Sequence, residues 1–495
     1  MSFQISSGYT VIFIALLCLY KITNVLTWLN IITLLSIICI ICTPSYCVRL
    51  IERTSIIGSA ITFFLSLALL RKYTKGSSGI LATYTISEYT INISYLIDGI
   101  SIIYIILTTF LTVVIILSSK NMKTNRKQFH LIILITQILL INSFITAEIF
   151  FFFFLFEVIL MPFFFLISAW GSQKERINAA TTLAVYTLLG SFSMLVGILV
   201  LFRELGTTNL FFIKNSALEK NIEKILFLFF FLAFAFKIPM MPFHIWLPKA
   251  HVEAPTAGSA LLAGILLKVG SYGYLRFLLS LFPSAAIYYT PFILCVAIIS
   301  MILSTFAIVR LIDLKRIVAY SSIAHMNYLI AGLSVQSLCS EIGSLLLQIA
   351  HGLASAGLFL CVGALYDRYK TRNIYYYRGL NTVMPWFSFF FFLLCLANIG
   401  FPFTLNFIAE VAILCGLFET VPTIALLTLL SAIVMGVYSF VIITKTIYGK
   451  ITSYIKISYD LTRRETYAML LCLIPLLMLG LSPTMATIIF CEELR

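Results

Sequence analysis

Charge is what this sequence has least of. Only 11% of its 495 residues are Asp, Glu, Lys or Arg, less than half the roughly 25% of soluble domains, too little to cover a water-exposed surface of that size. Acidic residues number 19, histidines 5 and tryptophans 4. No acidic cluster has the spacing of a metal site, and no Gly-x-Gly-x-x-Gly turn follows a strand-like run. No four-cysteine cluster that could hold iron and sulfur is present either. Dinucleotide, metal and redox chemistry on this chain's own side chains are thereby excluded. The eleven cysteines lie mostly inside apolar runs, and Cys39 with Cys42 forms a lone Cys-x-x-Cys without a second pair or nearby His, which reads as helix packing. The first residues resemble neither an Arg-rich amphipathic leader nor a basic segment with a cleavage site, so a cleaved signal is not expected.

What fills the sequence is hydrocarbon. Apolar residues make up 61% of the chain, against roughly 45–50% in soluble domains, and they recur in runs of about 15 to 25, each enough to cross a hydrocarbon core of about 30 Å. The expected fold class is an all-α polytopic membrane protein with about fourteen core transmembrane helices. Apolar runs and their breakers place these at about 28–43, 56–70, 98–118, 129–147, 149–169, 179–202, 225–246, 256–281, 288–309, 317–337, 341–366, 385–415, 423–446 and 467–490. A further apolar stretch, Tyr9 to Tyr20, is a candidate extra N-terminal helix. The alternating segment from Thr83 to Tyr95 predicts a small hairpin on the outer face, and the polar stretch 204–224 is expected to lie along the same surface. All four Trp residues, 28, 170, 246 and 386, fall near predicted span ends, as an interfacial belt would place them.

The net charge of +14 does not form a nucleic-acid patch, because it is dispersed over short loops. Loops after odd-numbered spans hold 21 basic residues, among them Arg49, Lys120, Arg310, Arg372 and Lys445; loops after even-numbered spans hold 7. That asymmetry puts the odd loops in the matrix or cytoplasm and both ends of the fourteen-helix core on the outer side.

A charge at the centre of a membrane helix costs about 2.5–3.5 kcal/mol on insertion scales, yet Glu157, Lys237, Lys268 and Glu410 all fall within predicted spans. His325 and His351 also lie in apolar helices, and His244 follows Lys237 by seven residues, on nearly the same face of a continuous helix. Each residue has a plainer reading beside a proton-carrying one: a structural ion pair for Glu157, snorkelling for Lys268, a packing histidine bonded to Ser or a carbonyl for His325 and His351, and an interfacial carboxylate for Glu148. Pro239 and Pro242 beside Lys237 predict a break in the seventh span, and Gly400 with Pro402 ahead of Glu410 a break in the twelfth. The breaks are offset by about 162 residues and the helix groups 4–8 and 9–13 by about 160. Interrupted helices in corresponding places point to inverted five-helix repeats around a midplane ion path. The expected units are 1–127, 128–282, 283–448 and 449–495.

The run KIPMMPFHIWLPKAHVEAPTAGSALLAGILLKVGSYGYLR (237–276), with FITAEIFFFFFLFE (144–157), DLKR (313–316), AYSSIAHMN (319–327), QIAHGLASAGLF (348–359) and GFPFTLNFIAE (400–410), resembles the antiporter-like subunits of the proton-pumping NADH:ubiquinone oxidoreductase, respiratory complex I. The resemblance covers about 98–490 and is least over 1–50. It implies a proton-translocating subunit of that enzyme in the mitochondrial inner membrane, less readily a bacterial plasma membrane, with Glu157, Lys237, Lys268, His325, His351 and Glu410 on the path and Glu148 and His244 as further members. Glutamate at 410 departs from the lysine that related subunits tend to carry there. NADH, FMN, iron–sulfur clusters and ubiquinone would belong to partner chains, and the expected partners are other membrane-arm subunits, especially neighbouring antiporter-like ones, together with the lipid bilayer. A subunit of a multisubunit sodium or potassium/proton antiporter and a non-transporting membrane scaffold are the alternative readings.

Overall fold

The computed structural model describes residues 25–75, 80–88, 91–119, 125–216, 218–455, 459–484, 487 and 490. The candidate helix at 9–20 lies outside the described residues. Sixteen helices account for the crossings: α1 (Val25–Cys42), α2 (Val48–Lys75), α3 (Gly99–Ser118), α4 (Arg126–Ile145), α5 (Ile149–Trp170), α6 (Arg176–Leu205), α7 (Lys220–Lys237), α8 (Trp246–Glu253), α9 (Thr256–Leu279), α10 (Pro283–Arg310), α11 (Leu314–Val335), α12 (Leu338–Tyr369), α13 (Pro385–Ile399), α14 (Leu405–Thr420), α15 (Pro422–Ile447) and α16 (Arg463–Leu481). Eleven of them are individually long and apolar enough to cross a membrane among the described residues. The remaining crossings are α11, whose 22 residues span about 33 Å, and the two broken pairs α7/α8 and α13/α14. That gives fourteen crossings among the described residues.

The molecule is turned inside out relative to a soluble bundle. Peripheral helices present bare hydrocarbon, such as Leu189 and Phe192 on α6 or Ile299 and Leu303 on α10, because lipid tails solvate them at no cost. The polar side chains, which cannot face lipid cheaply, are turned inward. α12 is the axis of this arrangement: every residue of its most apolar 18-residue window is buried, against 39% for α15.

The hairpin forms as β1 (Ile80–Glu88) paired antiparallel with β2 (Ile91–Asp98), Thr85 opposite Ser94. Its second strand is tied to the start of α5 through Ala147 N to Ser94 O at 2.9 Å, and Asn209 Nδ2 donates to Ser94 Oγ at 2.9 Å. The stretch 204–224, including a short helix Leu210–Lys214, therefore shares the hairpin's surface, as its polarity suggested.

Two expectations need correction. The seventh span does not run from 225 to 246: α7 ends at Lys237, a 3-10 turn covers Phe243–Ile245, and α8 completes the crossing. The second half was missed because WLPKAHVE carries Lys249, His251 and Glu253 and is too polar to read as membrane-embedded. Nor do all four tryptophans stand at span ends: Trp28, Trp170 and Trp386 lie at the ends of α1, α5 and α13, but Trp246 lies at the break within the seventh crossing and is fully buried. Trp246 fills the break, donating Nε1–H to Phe236 O at 2.9 Å, one of the carbonyls a terminated helix leaves without a partner.

Candidate functional site

The twelfth crossing is broken by a glycine. Gly400 sits at φ +78 and ends α13 in a left-handed cap, a conformation that glycine adopts without steric cost. The last carbonyls of α13 then need donors in a place without bulk water. Asn406 Nδ2 donates to Ala397 O at 2.6 Å, and His325 Nε2 lies 3.0 Å from Asn398 O. Because a carbonyl only accepts, Nε2 of His325 must carry the hydrogen. Its other nitrogen, Nδ1, is thereby turned to Glu410 Oε1 at 3.5 Å. A neutral ring in that tautomer presents a lone pair to the carboxylate, so the contact is favourable only when a proton lies on one of the two groups. Gly400 also makes room for the carboxylate, since a β-carbon there would collide with Glu410 Oε2.

From His325 the polar series continues inward. Its ring centroid is 5.5 Å from that of His351, and His351 Nδ1 lies 2.8 Å from Lys268 Nζ. Lys268 Nζ donates as well to Ala263 O at 2.6 Å, five residues back. That carbonyl belongs to a π-helical turn, Leu262–Leu266, and a second π turn covers Tyr274–Leu279. Wider turns shift the backbone register and free carbonyls toward the helix interior face, which is why such insertions gather at functional positions. Both Lys268 and His351 are essentially inaccessible, at 0% and 1% exposure. Four residues named from the sequence, Lys268, His351, His325 and Glu410, are thus brought into one line through α9, α12, α11 and α14.

Lys237 and Glu157 are neighbours without a direct bond. No direct ion pair joins them: Lys237 Nζ donates to Phe156 O at 3.4 Å and sits 4.2 Å from the centroid of the Phe156 ring, while Glu157 Oε1 has no hydrogen-bond partner among the described residues. Ser191 and Lys237 are the polar neighbours of the Glu157 carboxylate. The lysine ends α7 at the break and its stem packs on Gly270 of α9, where a β-carbon would fall 3.1 Å from Lys237 Cβ; this close approach sets the first broken crossing against the helix that carries Lys268. His244 does not share a helical face with Lys237, because the helix stops between them. It lies half-buried in the 3-10 turn, its ring 6.2 Å from that of Tyr320. Glu148 stands at the N-cap position of α5 without a side-chain cap hydrogen bond, its backbone in an antiparallel bridge with Asn209, nine residues and about 14 Å from Glu157, with the hairpin surface and apart from the central line.

Sequence reading missed several polar groups beside this line. Gln348, one turn before His351, accepts hydrogen bonds from Ser271 Oγ at 2.6 Å and from Tyr104 OH; Arg276 pairs with Asp98 at the foot of the hairpin and donates to Tyr272 OH at 3.3 Å. Gln348 was visible in QIAHG as a polar residue at helical spacing, whereas Tyr104 sits in an apolar run and gave no signal. On the opposite side, Lys315 was counted as a loop charge in DLKR. It is buried at 1% and donates to Ala254 O at 2.7 Å, near Ser259, with buried His251 stacked on Phe359 at 4.6 Å.

A family model described as NADH:quinone oxidoreductase/Mrp antiporter, TM, matches residues 146–436, which contain every residue of the central line. The NADH-ubiquinone oxidoreductase chain 4 of Marchantia polymorpha is 40% identical over 463 residues, covering 92% of this chain and 94% of its own. Among solved structures, a chain of respiratory complex I from Thermus thermophilus with bound NADH superposes with a TM-score of 0.84 at 26% identity, covering 94% of this chain and 99% of that one. A chain of the Mrp complex from Dietzia sp. DQ12-45-1b reaches a TM-score of 0.86 at 17% identity, covering 95% and 97%.

Proposed function

The chain belongs to the NADH:quinone oxidoreductase/Mrp antiporter transmembrane family, and from that premise we propose that it is the proton-translocating, antiporter-like chain 4 subunit of a respiratory NADH–ubiquinone oxidoreductase in the mitochondrial inner membrane. Relatives bearing that name at 40% identity over nearly the whole chain support this reading over a cation/proton antiporter, since the likeness to the Mrp chain, at 17% identity, speaks for the fold alone. NADH and ubiquinone would be handled by partner chains of the complex, as would FMN and iron–sulfur clusters. This chain adjoins other membrane-arm subunits, with neighbouring antiporter-like chains the expected flanking partners, and the basic loops face the matrix.

The observation that carries the mechanism is the buried line Lys268, His351, His325, Glu410. Lys268 as an ammonium donates to His351 Nδ1 at 2.8 Å, so this pair holds one proton more than two neutral groups would. Two full positive charges so close in a low-dielectric interior repel strongly, which favours one shared proton over two. When that proton moves to His351, the hydrogen on its Nε2 becomes the one to be passed on; Nε2 has no acceptor among the described residues, and a ring rotation or a single bridging water spans the gap to His325. The proton demanded by the His325 Nδ1 and Glu410 contact is then supplied from the lysine side, and loss of it from Glu410 resets the line. Lys237, with Glu157 as its electrostatic partner, feeds Lys268 from the first break. The five-helix units 128–282 and 283–448 would each contribute one break to this path.

Glu410→Gln tests this. The amide keeps size and hydrogen bonding but cannot cycle a proton, and coupling between sites is reciprocal. In the assembled complex, quinone reduction and proton pumping should fall together, while NADH oxidation by an artificial acceptor that bypasses the membrane arm continues at the normal rate. A scaffold carboxylate predicts instead poor assembly with both NADH activities reduced in proportion, and wild-type pumping in Glu410→Gln removes Glu410 from the obligatory path.

A further inference from the structure

Outside the polar line, an apolar cavity lies on the lipid-facing side of the second half, between the ends of α10 and α15. It has a volume of about 360 Å³ and is walled by Val309, Leu311, Val437, Val441 and neighbouring apolar groups, with Arg310 and Lys445 at one end. Along α15 the residues Ile433, Val437 and Val441 form an i, i+4 row, and all three are exposed; the next residue of that row is Lys445. Tyr438 and Ile442 of the adjacent row are buried and form the floor. Among the described residues no acidic side chain lines the cavity. The Lys445 ammonium stands 5.7 Å from the Tyr375 ring centroid, and among the described residues neither it nor Arg310 pairs with a carboxylate.

We propose that this groove binds an anionic phospholipid of the inner leaflet, its phosphate held between Arg310 and Lys445 and an acyl chain laid along Val437 and Val441. Three observations support that occupant. Both cations belong to loop ends after odd-numbered crossings, the basic face of the protein, where pockets of this kind select anionic headgroups. The row from Ile433 to Lys445 runs 12 residues, about 18 Å, which matches one leaflet, half of a core about 30 Å thick. Divided by that length, the volume leaves a mean section of roughly 20 Å², room for one extended hydrocarbon chain but far below the ~80 Å² of a helix 10 Å across. A zwitterionic lipid would fill the groove equally well but would leave the two cations without a net partner charge.

The test uses the assembled complex in nanodiscs carrying photoreactive phosphatidylglycerol or photoreactive phosphatidylcholine, with the labelled peptides identified by mass spectrometry. The α15 segment around Val437 should be labelled preferentially by phosphatidylglycerol. Arg310→Gln with Lys445→Gln should lower that preference about 30-fold, the equivalent of ~2 kcal/mol for two basic residues near the surface. Val437→Trp, which fills the groove and keeps both cations, should abolish labelling by both probes. Equal labelling of the wild-type protein by the two lipids would reduce the groove to ordinary annular contact and overturn the proposal. So would absence of lipid labelling together with crosslinking of a neighbouring chain from a photoreactive residue at Val437. The wild-type comparison decides the matter even if the double variant fails to assemble.

Discussion

A single dihedral angle at Gly400 does two jobs at residue scale: it ends α13 and clears the space that the Glu410 carboxylate occupies. Any β-carbon there is doubly penalised, by the left-handed backbone and by the collision. Gly400→Ala should therefore destabilise by about 1–3 kcal/mol and displace Glu410 from His325, read as a lower temperature for loss of quinone reductase activity together with slower pumping. Gly436→Ala is the control, since its added carbon meets only Ile399 at 3.5 Å; equal effects in the two variants would remove the special role of Gly400. His325 is bound to a carbonyl, as the packing reading of such histidines expects, and yet that bond is what points its other nitrogen at Glu410. On the proposed path, structural and proton-handling roles would coincide in one ring.

Broken crossings stand or fall, as elements, on whether their exposed backbone ends find partners inside the membrane. At the first break Trp246 supplies one, through Nε1 to Phe236 O. Trp246→Phe keeps the ring in place but removes the donor, so it should cost about 1–3 kcal/mol for the unsatisfied carbonyl, measured as reduced thermal stability of the assembled complex. A variant as stable as the parent would mean that the carbonyl finds another donor. The α9 helix presents a different device. Its π turn brings Ala263 O to Lys268 Nζ, so the lysine is held at its base while its other contact is His351. Gln348→Leu removes the acceptor shared by Ser271 and Tyr104 one turn from His351; pumping should slow several-fold while Gln348→Glu, which keeps the acceptor, retains more of it. Equal loss in both would assign Gln348 to packing alone.

For the whole molecule, the governing facts are the inverted solvent preference and the sidedness of charge. Basic residues gather at one set of loop ends, and the end of α12 with the segment after it, carrying Arg368, Lys370, Arg372 and Arg378, is part of that face. Tyr375→Cys, at a residue 66% exposed, should react with an impermeant maleimide only from the matrix side of sealed membranes. Reaction from the outer side alone would invert the assigned orientation.

Hydropathy and breaker residues alone determined the number of crossings, the positions of both breaks, the hairpin and the uneven distribution of basic loops, because each is a local property of consecutive residues and of their transfer from water to hydrocarbon. The titratable residues within spans were equally legible, since any charge stands out in a sequence with so few. Only tertiary structure decided which of them meet. Lys268 and His351 are 83 residues apart and His325 and Glu410 are 85 apart; their encounters depend on how α9, α11, α12 and α14 pack around a buried axis, which no periodicity encodes. The same packing separates Glu157 from a direct bond with Lys237, buries Trp246 and Lys315 where span ends suggested an interface, and completes the seventh crossing with a helix too polar to announce itself. A polar group in a membrane protein is placed by the partners that surround it, and those partners come from distant parts of the chain.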